Sequence, residues 1–109
     1  MPTTYKVLGQ SNPSATTATT LYTVPASTQA VVSTIVIANL TATAATFRIA
    51  VRVAGATLAN SQYVAYDITV GASDSTALTL GVTLNATDVV TVYASTANLT
   101  FTAFESEIS

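Results

Sequence analysis

Eight short runs rich in valine, isoleucine, threonine and tyrosine follow one another along this chain, and turn-forming residues separate them. Within the runs, apolar and polar residues alternate with the period of an extended strand. No window carries apolar residues at the three-to-four-residue spacing of a helix. Short strands at regular spacing with nothing helical between them specify an all-β fold, a single antiparallel β-sandwich of about eight strands with jelly-roll or Ig-like connections.

The strands are expected at Tyr5–Gln10, Thr19–Val24, Gln29–Asn39, Thr46–Ala54, Gln62–Val70, Thr76–Leu84, Val89–Ala94 and Leu99–Phe104. Pro25 stops the second, since proline cannot donate to a ladder. Gly71–Asp74 and Asn85–Asp88 are turns. The length of 109 residues suits one domain, residues 1–109, with residues 1–17 as an N-terminal arm.

Two faces can be assigned. In Thr46–Ala54, the residues Phe47, Ile49, Val51 and Val53 point inward, and Arg48, Ala50 and Arg52 outward. In Gln62–Val70, Val64, Tyr66, Ile68 and Val70 point inward, and Tyr63, Ala65 and Asp67 outward. A hairpin joining them then pairs Phe47 with Ile68, Ile49 with Tyr66 and Val51 with Val64. It sets Arg48 against Asp67 and Arg52 against Tyr63 on the outer face. The later run Thr76–Leu84 aligns Leu78, Leu80, Val82 and Leu84 on one side.

Gln29–Asn39 is apolar at both parities. Val32, Thr34, Val36 and Ala38 share one side, and Val31, Ser33, Ile35 and Ile37 the other. A half-exposed strand needs only one apolar face. Either it lies centrally under a long loop, or its second face is a subunit interface; the Thr/Ala-rich surface favours the interface. The expected interface residues are Val31, Ser33, Ile35, Ile37, Arg48, Arg52, Tyr63 and Asp67.

Charge narrows the function. Charged residues are 7% of the chain, against about 25% in an ordinary soluble domain. Such a surface has little self-repulsion and favours association. With a net charge of −2 and no basic patch, nucleic acid is not an expected partner. No apolar stretch is long enough for a membrane-spanning helix, and no membrane partner is expected.

The chain has no histidine and no cysteine. That removes Ser-His-Asp and Cys-His nucleophiles and thiolate metal sites. Lys6 is the only lysine, so a Ser-Lys pair has one candidate. Asp74 and Asp88 read as turn residues, and Glu105 and Glu107 as solvated carboxylates. No clustered oxygen ligands or glycine-rich phosphate loop exists. No catalytic residue, metal or cofactor is expected. The Asn-x-Thr sequons at Asn39, Asn85 and Asn98 read as turn and strand-end residues in a threonine-rich chain. Tyr63 and Tyr93 are candidates to stack on a sugar or to anchor an interface.

The runs Leu21-Tyr-Thr-Val-Pro25, Val31-Val-Ser-Thr-Ile-Val-Ile-Ala-Asn39 and Thr46-Phe-Arg-Ile-Ala-Val-Arg52 resemble small virion proteins of tailed bacteriophages. So do Gln62-Tyr-Val-Ala-Tyr-Asp67, Leu78-Thr-Leu-Gly81 and Asp88-Val-Val-Thr-Val-Tyr93. The likeness spans Tyr5 to Phe104 and is strongest to phages of cyanobacteria and other aquatic bacteria. At the C-terminal end, Phe104-Glu-Ser-Glu107 departs from the Phe-Gly-x-Glu of those proteins.

The resemblance implies a β-sandwich structural protein of the virion without catalysis. The leading expectation is a capsid decoration (cement) protein, a homotrimer that binds the major capsid protein and stabilises the shell. A tail, neck or fibre component engaged in host attachment is the alternative. A carbohydrate-binding module, with a host-surface glycan as ligand, is a third.

Overall fold

The computed structural model of the chain describes residues 3–108; the side chains of Leu80 and Glu105 lie outside the described set. The strands are β1 (Thr3–Ser11), β2 (Thr19–Thr23), β3 (Gln29–Asn39), β4 (Ala45–Arg52), β5 (Tyr63–Val70), β6 (Ser75–Leu84), β7 (Val89–Ala94) and β8 (Leu99–Ile108). Two turns of 3-10 helix, Val53–Gly55 and Asn60–Gln62, lie between β4 and β5. The alternating β-branched runs therefore form the strands they predict, with β3 and β7 matching at both ends. β4 stops at Arg52, because Ala54 adopts a left-handed backbone (φ 54°) that ends the extended run.

Two four-stranded antiparallel sheets stack, in the orders β1-β8-β3-β6 and β2-β7-β4-β5. The pairings β1 with β8, β2 with β7, β3 with β6 and β4 with β5 show the logic. Thr3 faces Ile108, Tyr22 faces Val90, Val32 faces Val82 and Phe47 faces Ile68. The first half of the chain thus runs back along the second as one long ribbon that pivots at residues 53–62. Folding that ribbon over itself puts alternate rungs in opposite sheets, which is the jelly-roll topology rather than the Ig-like one.

The core lies between the sheets. Phe47 and Phe101, both fully buried, meet edge to face with ring centroids 6.0 Å apart. Ile35, Ile37, Ile49, Leu84, Leu99, Val90 and Val92 are among the residues buried with them. Asn39 is a buried polar exception. Its amide donates to the carbonyls of Thr43 and Gly71, and its carbonyl accepts from the Thr41 backbone N–H, so it ties two loops to the end of β3.

A row of irregularities crosses the β1-β8-β3-β6 sheet at one height. Leu8 is extra in β1, Ser33 is extra in β3, and two residues of β6, Leu80 and Gly81, oppose Ser33. They line up because Phe104 pairs with both Val7 and Thr34. Gly81 carries the positive φ (61°) that such a bulge requires. An extra residue reverses which parity points inward. Ala30 and Val32 face the core before the bulge, and Ile35 and Ile37 after it.

This corrects two expectations. Ile35 and Ile37 are core residues, 1% and 0% exposed, so they cannot belong to an outer interface. The apolar character at both parities of β3 records two inward sets offset by one residue, leaving Val31, Val36 and Ala38 on the outside. Nor is the N-terminal segment an arm. Residues 3–11 form β1, an edge strand paired with β8 along its length; residues 1 and 2 lie outside the described residues.

Candidate functional site

The outer face of the β2-β7-β4-β5 sheet gathers most of the polar aromatic side chains. Arg48 of β4 stands between two neighbours in register, Tyr93 on β7 and the Tyr66–Asp67 step on β5. Its guanidinium donates to both oxygens of Asp67, Nε to Oδ1 at 2.6 Å and an Nη to Oδ2 at 3.3 Å. Such bidentate geometry fixes the plane of the guanidinium. The same group lies over the Tyr66 ring, 4.2 Å from its centroid, and over the Tyr93 ring at 4.4 Å. Asp67 holds Arg48 firmly protonated.

The expected Arg48–Asp67 pair is therefore present, but the register around it changes. Ile68 pairs with Phe47 as expected, yet Ile49 pairs with Ala65, and Ala50 with Tyr63. Two residues, Tyr66 and Asp67, oppose the single Arg48, and Asp67 adopts φ 51° to make room. The bulge turns Tyr66 outward, where it is 54% exposed, and turns Ala65 inward. A further extra residue, Val64, leaves that side chain exposed. The expected inward set Val64, Tyr66, Ile68 and Val70 is thus corrected: Val70 is buried, Ile68 is 36% exposed, and Val64 and Tyr66 face solvent.

Arg52 does not meet Tyr63. Its guanidinium donates to the carbonyls of Ala56 (2.7 Å) and Gly55 (2.9 Å) and so clamps the turn after β4. Tyr63 packs against Tyr66 instead, centroids 5.0 Å apart and ring planes at 82°. Together with Asn60 these rings line an open depression of about 390 Å³. Gln62 holds the loop beside it, accepting from the Ala59 backbone N–H at 2.7 Å and donating to the Thr57 carbonyl at 3.1 Å. Tyr66 was hidden from the alternation pattern because only the bulge exposes it.

On the opposite sheet the outer face is different. By register, Tyr5, Val7, Phe104, Val31, Thr34, Val36, Thr102 and Ala38 project from it. Tyr5, Val7 and Phe104 are 74%, 52% and 36% exposed and form one apolar stripe along the β1–β8 pair. No charged side chain among the described residues of these four strands points from that face.

Asp88 and Glu107 have structural partners elsewhere in the fold. Asp88 is buried and accepts backbone N–H groups from Ala54 (2.8 Å) and Asn85 (2.9 Å), closing two loops. Glu107 accepts from Lys6 at 2.8 Å and from the Tyr22 hydroxyl, bridging β8 to β1 and to the other sheet. These two donors hold the Glu107 carboxyl below the usual glutamate range, while burial and the carboxylate push the Tyr22 phenol up. Among the described residues, no three of His, Cys, Asp and Glu lie close enough to hold a metal ion, and no helix is long and apolar enough to cross a membrane.

Comparison with family models, with curated proteins and with solved structures finds no match to the chain.

Proposed function

We propose that the chain is a non-catalytic structural protein of a bacteriophage virion, a decoration protein that binds the assembled shell and stabilises it. The observation that carries this reading is the outer face of the β1-β8-β3-β6 sheet. It is broad, charge-free among the described side chains, and crossed by the exposed stripe of Tyr5, Val7 and Phe104. Desolvating such a face against a partner removes apolar surface from water without stranding a charge. The resemblance of the strand sequences to small phage virion proteins supplies the partner, an outer surface of major capsid protein. The expected trimer belongs to the same reading.

A ligand that binds only the assembled shell stabilises it by mass action. Purified virions stripped of the protein should therefore lose genome at a lower temperature, and adding the protein back should restore the original temperature. Val36→Glu places a charge in the middle of the proposed face and should abolish the restoration while leaving the isolated protein folded. The copy number should match that of shell subunits. Virions whose heat resistance ignores the protein, or a copy number fitting a tail ring, would overturn the proposal in favour of a tail, neck or fibre role.

A further inference from the structure

The depression lined by Asn60, Tyr63 and Tyr66 lies on the other sheet, away from the face assigned to the shell. We propose that it is a binding site for a neutral carbohydrate, with a pyranose ring seated against the tyrosines. Its electrostatics favour an uncharged ligand. Arg48, which lies over the Tyr66 ring, is matched by Asp67 in a bidentate pair, and Arg52 directs its Nε and an Nη to the carbonyls of Ala56 and Gly55, so neither guanidinium is aimed at an anion in the depression.

Its shape and chemistry select a polyol among neutral ligands. Two phenol rings at 82° make a corner. The negative face of an aromatic ring attracts polarised C–H bonds, and a pyranose presents such bonds on one side. The Asn60 amide supplies both a donor and an acceptor for sugar hydroxyls. Among the described residues it has no side-chain hydrogen-bond partner, and neither phenol has one. A volume of about 390 Å³ lies within the range of small-molecule sites, about 300–1,000 Å³.

The corner is also held in advance of binding. Arg48 backs Tyr66 and is itself pinned by Asp67, while Gln62 fixes the loop that carries Asn60. Asp67 is the one non-glycine residue with a left-handed backbone inside a described strand, and it adopts that conformation at the step that turns Tyr66 outward. Strain held at such a position keeps a side chain aimed where an unstrained strand would not put it.

The test is a printed array of neutral and anionic oligosaccharides probed with the purified protein, followed by calorimetric titration of the strongest neutral binder. Binding to neutral oligosaccharides, unchanged by added salt, is the expected result. Tyr66→Ala and Asn60→Ala should each weaken it about tenfold or more, and Tyr66→Phe should keep most of it. Tyr5→Ala, on the opposite sheet, should bind sugar normally. Thermal melts of each variant confirm folding. No binding to any neutral oligosaccharide, binding confined to anionic ones, or undiminished binding by Tyr66→Ala overturns the site. So does loss of shell attachment in Tyr66→Ala without any sugar binding, which would assign the corner to a protein partner. Because the shell experiment relies on Val36→Glu and this one on Tyr66→Ala, either proposal can fail without the other.

Discussion

Glu107 shows how one carboxylate can join two sheets. It sits on the inner side of β8, opposite Thr4 and Ala30 in register, and accepts hydrogen bonds from a lysine in its own sheet and a tyrosine in the other. Because its carboxyl titrates lower in the folded protein than in the unfolded chain, its contribution is complete above the ordinary glutamate pKa. It disappears as pH falls through the lower, folded-state value. Glu107→Gln should therefore lower the melting temperature at neutral pH and flatten its fall on the acid side. Melting curves from neutral to strongly acidic pH check this; an acid limb as steep as that of the parent protein would refute the assignment. The sequence suggested only a solvated residue here, since no local pattern reveals that a strand near the end of the chain will lie over Tyr22. Arg48 and Asp67 were legible as partners because a hairpin brings them together, whatever the details of its register.

At the scale of the elements, alternation located every strand, because β-branched residues and proline or Asx stops act locally. It did not locate the bulges. Nothing in Val31–Asn39 marks Ser33 as the extra residue, and nothing in Tyr63–Val70 marks the Tyr66–Asp67 step. Each is set by what the neighbouring strand needs, so the face assignments failed at or beyond them, at Ile35, Ile37, Val64, Ala65 and Tyr66, and also at Val53, which is exposed where β4 gives way to a 3-10 turn. Gly9 is a similar case, a strand residue chosen for its neighbour in the other sheet. A Cβ there would fall 2.2 Å from the backbone oxygen of Leu21, so β1 approaches β2 as closely as it does only without a side chain. Gly9→Ala should destabilise the protein by about 1–3 kcal/mol, as overpacking against rigid backbone does. Gly71→Ala, whose new Cβ would meet Asp74 no closer than 3.7 Å, should change stability by about 0.5 kcal/mol or less. Urea titrations of the two variants make the comparison; equal effects would mean that β1 can draw back from β2 at no cost.

For the whole molecule, the decisive feature is that every sheet is completed by strands distant in sequence. The all-β class was legible because it follows from local periodicity. The jelly-roll order was not, because it depends on which distant runs pair. The place of β1 illustrates the point. A threonine- and serine-rich N-terminal stretch reads as an appendage, but β1 covers one side of β8 over eight paired positions. Deleting residues 3–11 should therefore abolish the cooperative melting transition and leave a sticky chain with an uncovered strand edge. A deletion variant that melts at the parent's temperature would restore the arm. Light scattering and calorimetry distinguish the outcomes.

The ribbon that pivots at residues 53–62 also sets a timetable. On a ribosome β1 emerges before the other seven described strands, yet its sheet partner is β8, which emerges after all of them. Among the paired strands only β4 and β5 are consecutive in sequence, so every other pairing waits on residues much farther along the chain. Such non-local pairing makes folding slow and leaves apolar strands unpaired during synthesis. β8 therefore acts as a latch: a message truncated before Leu99 would yield no partly working domain, only chain for a chaperone or a protease.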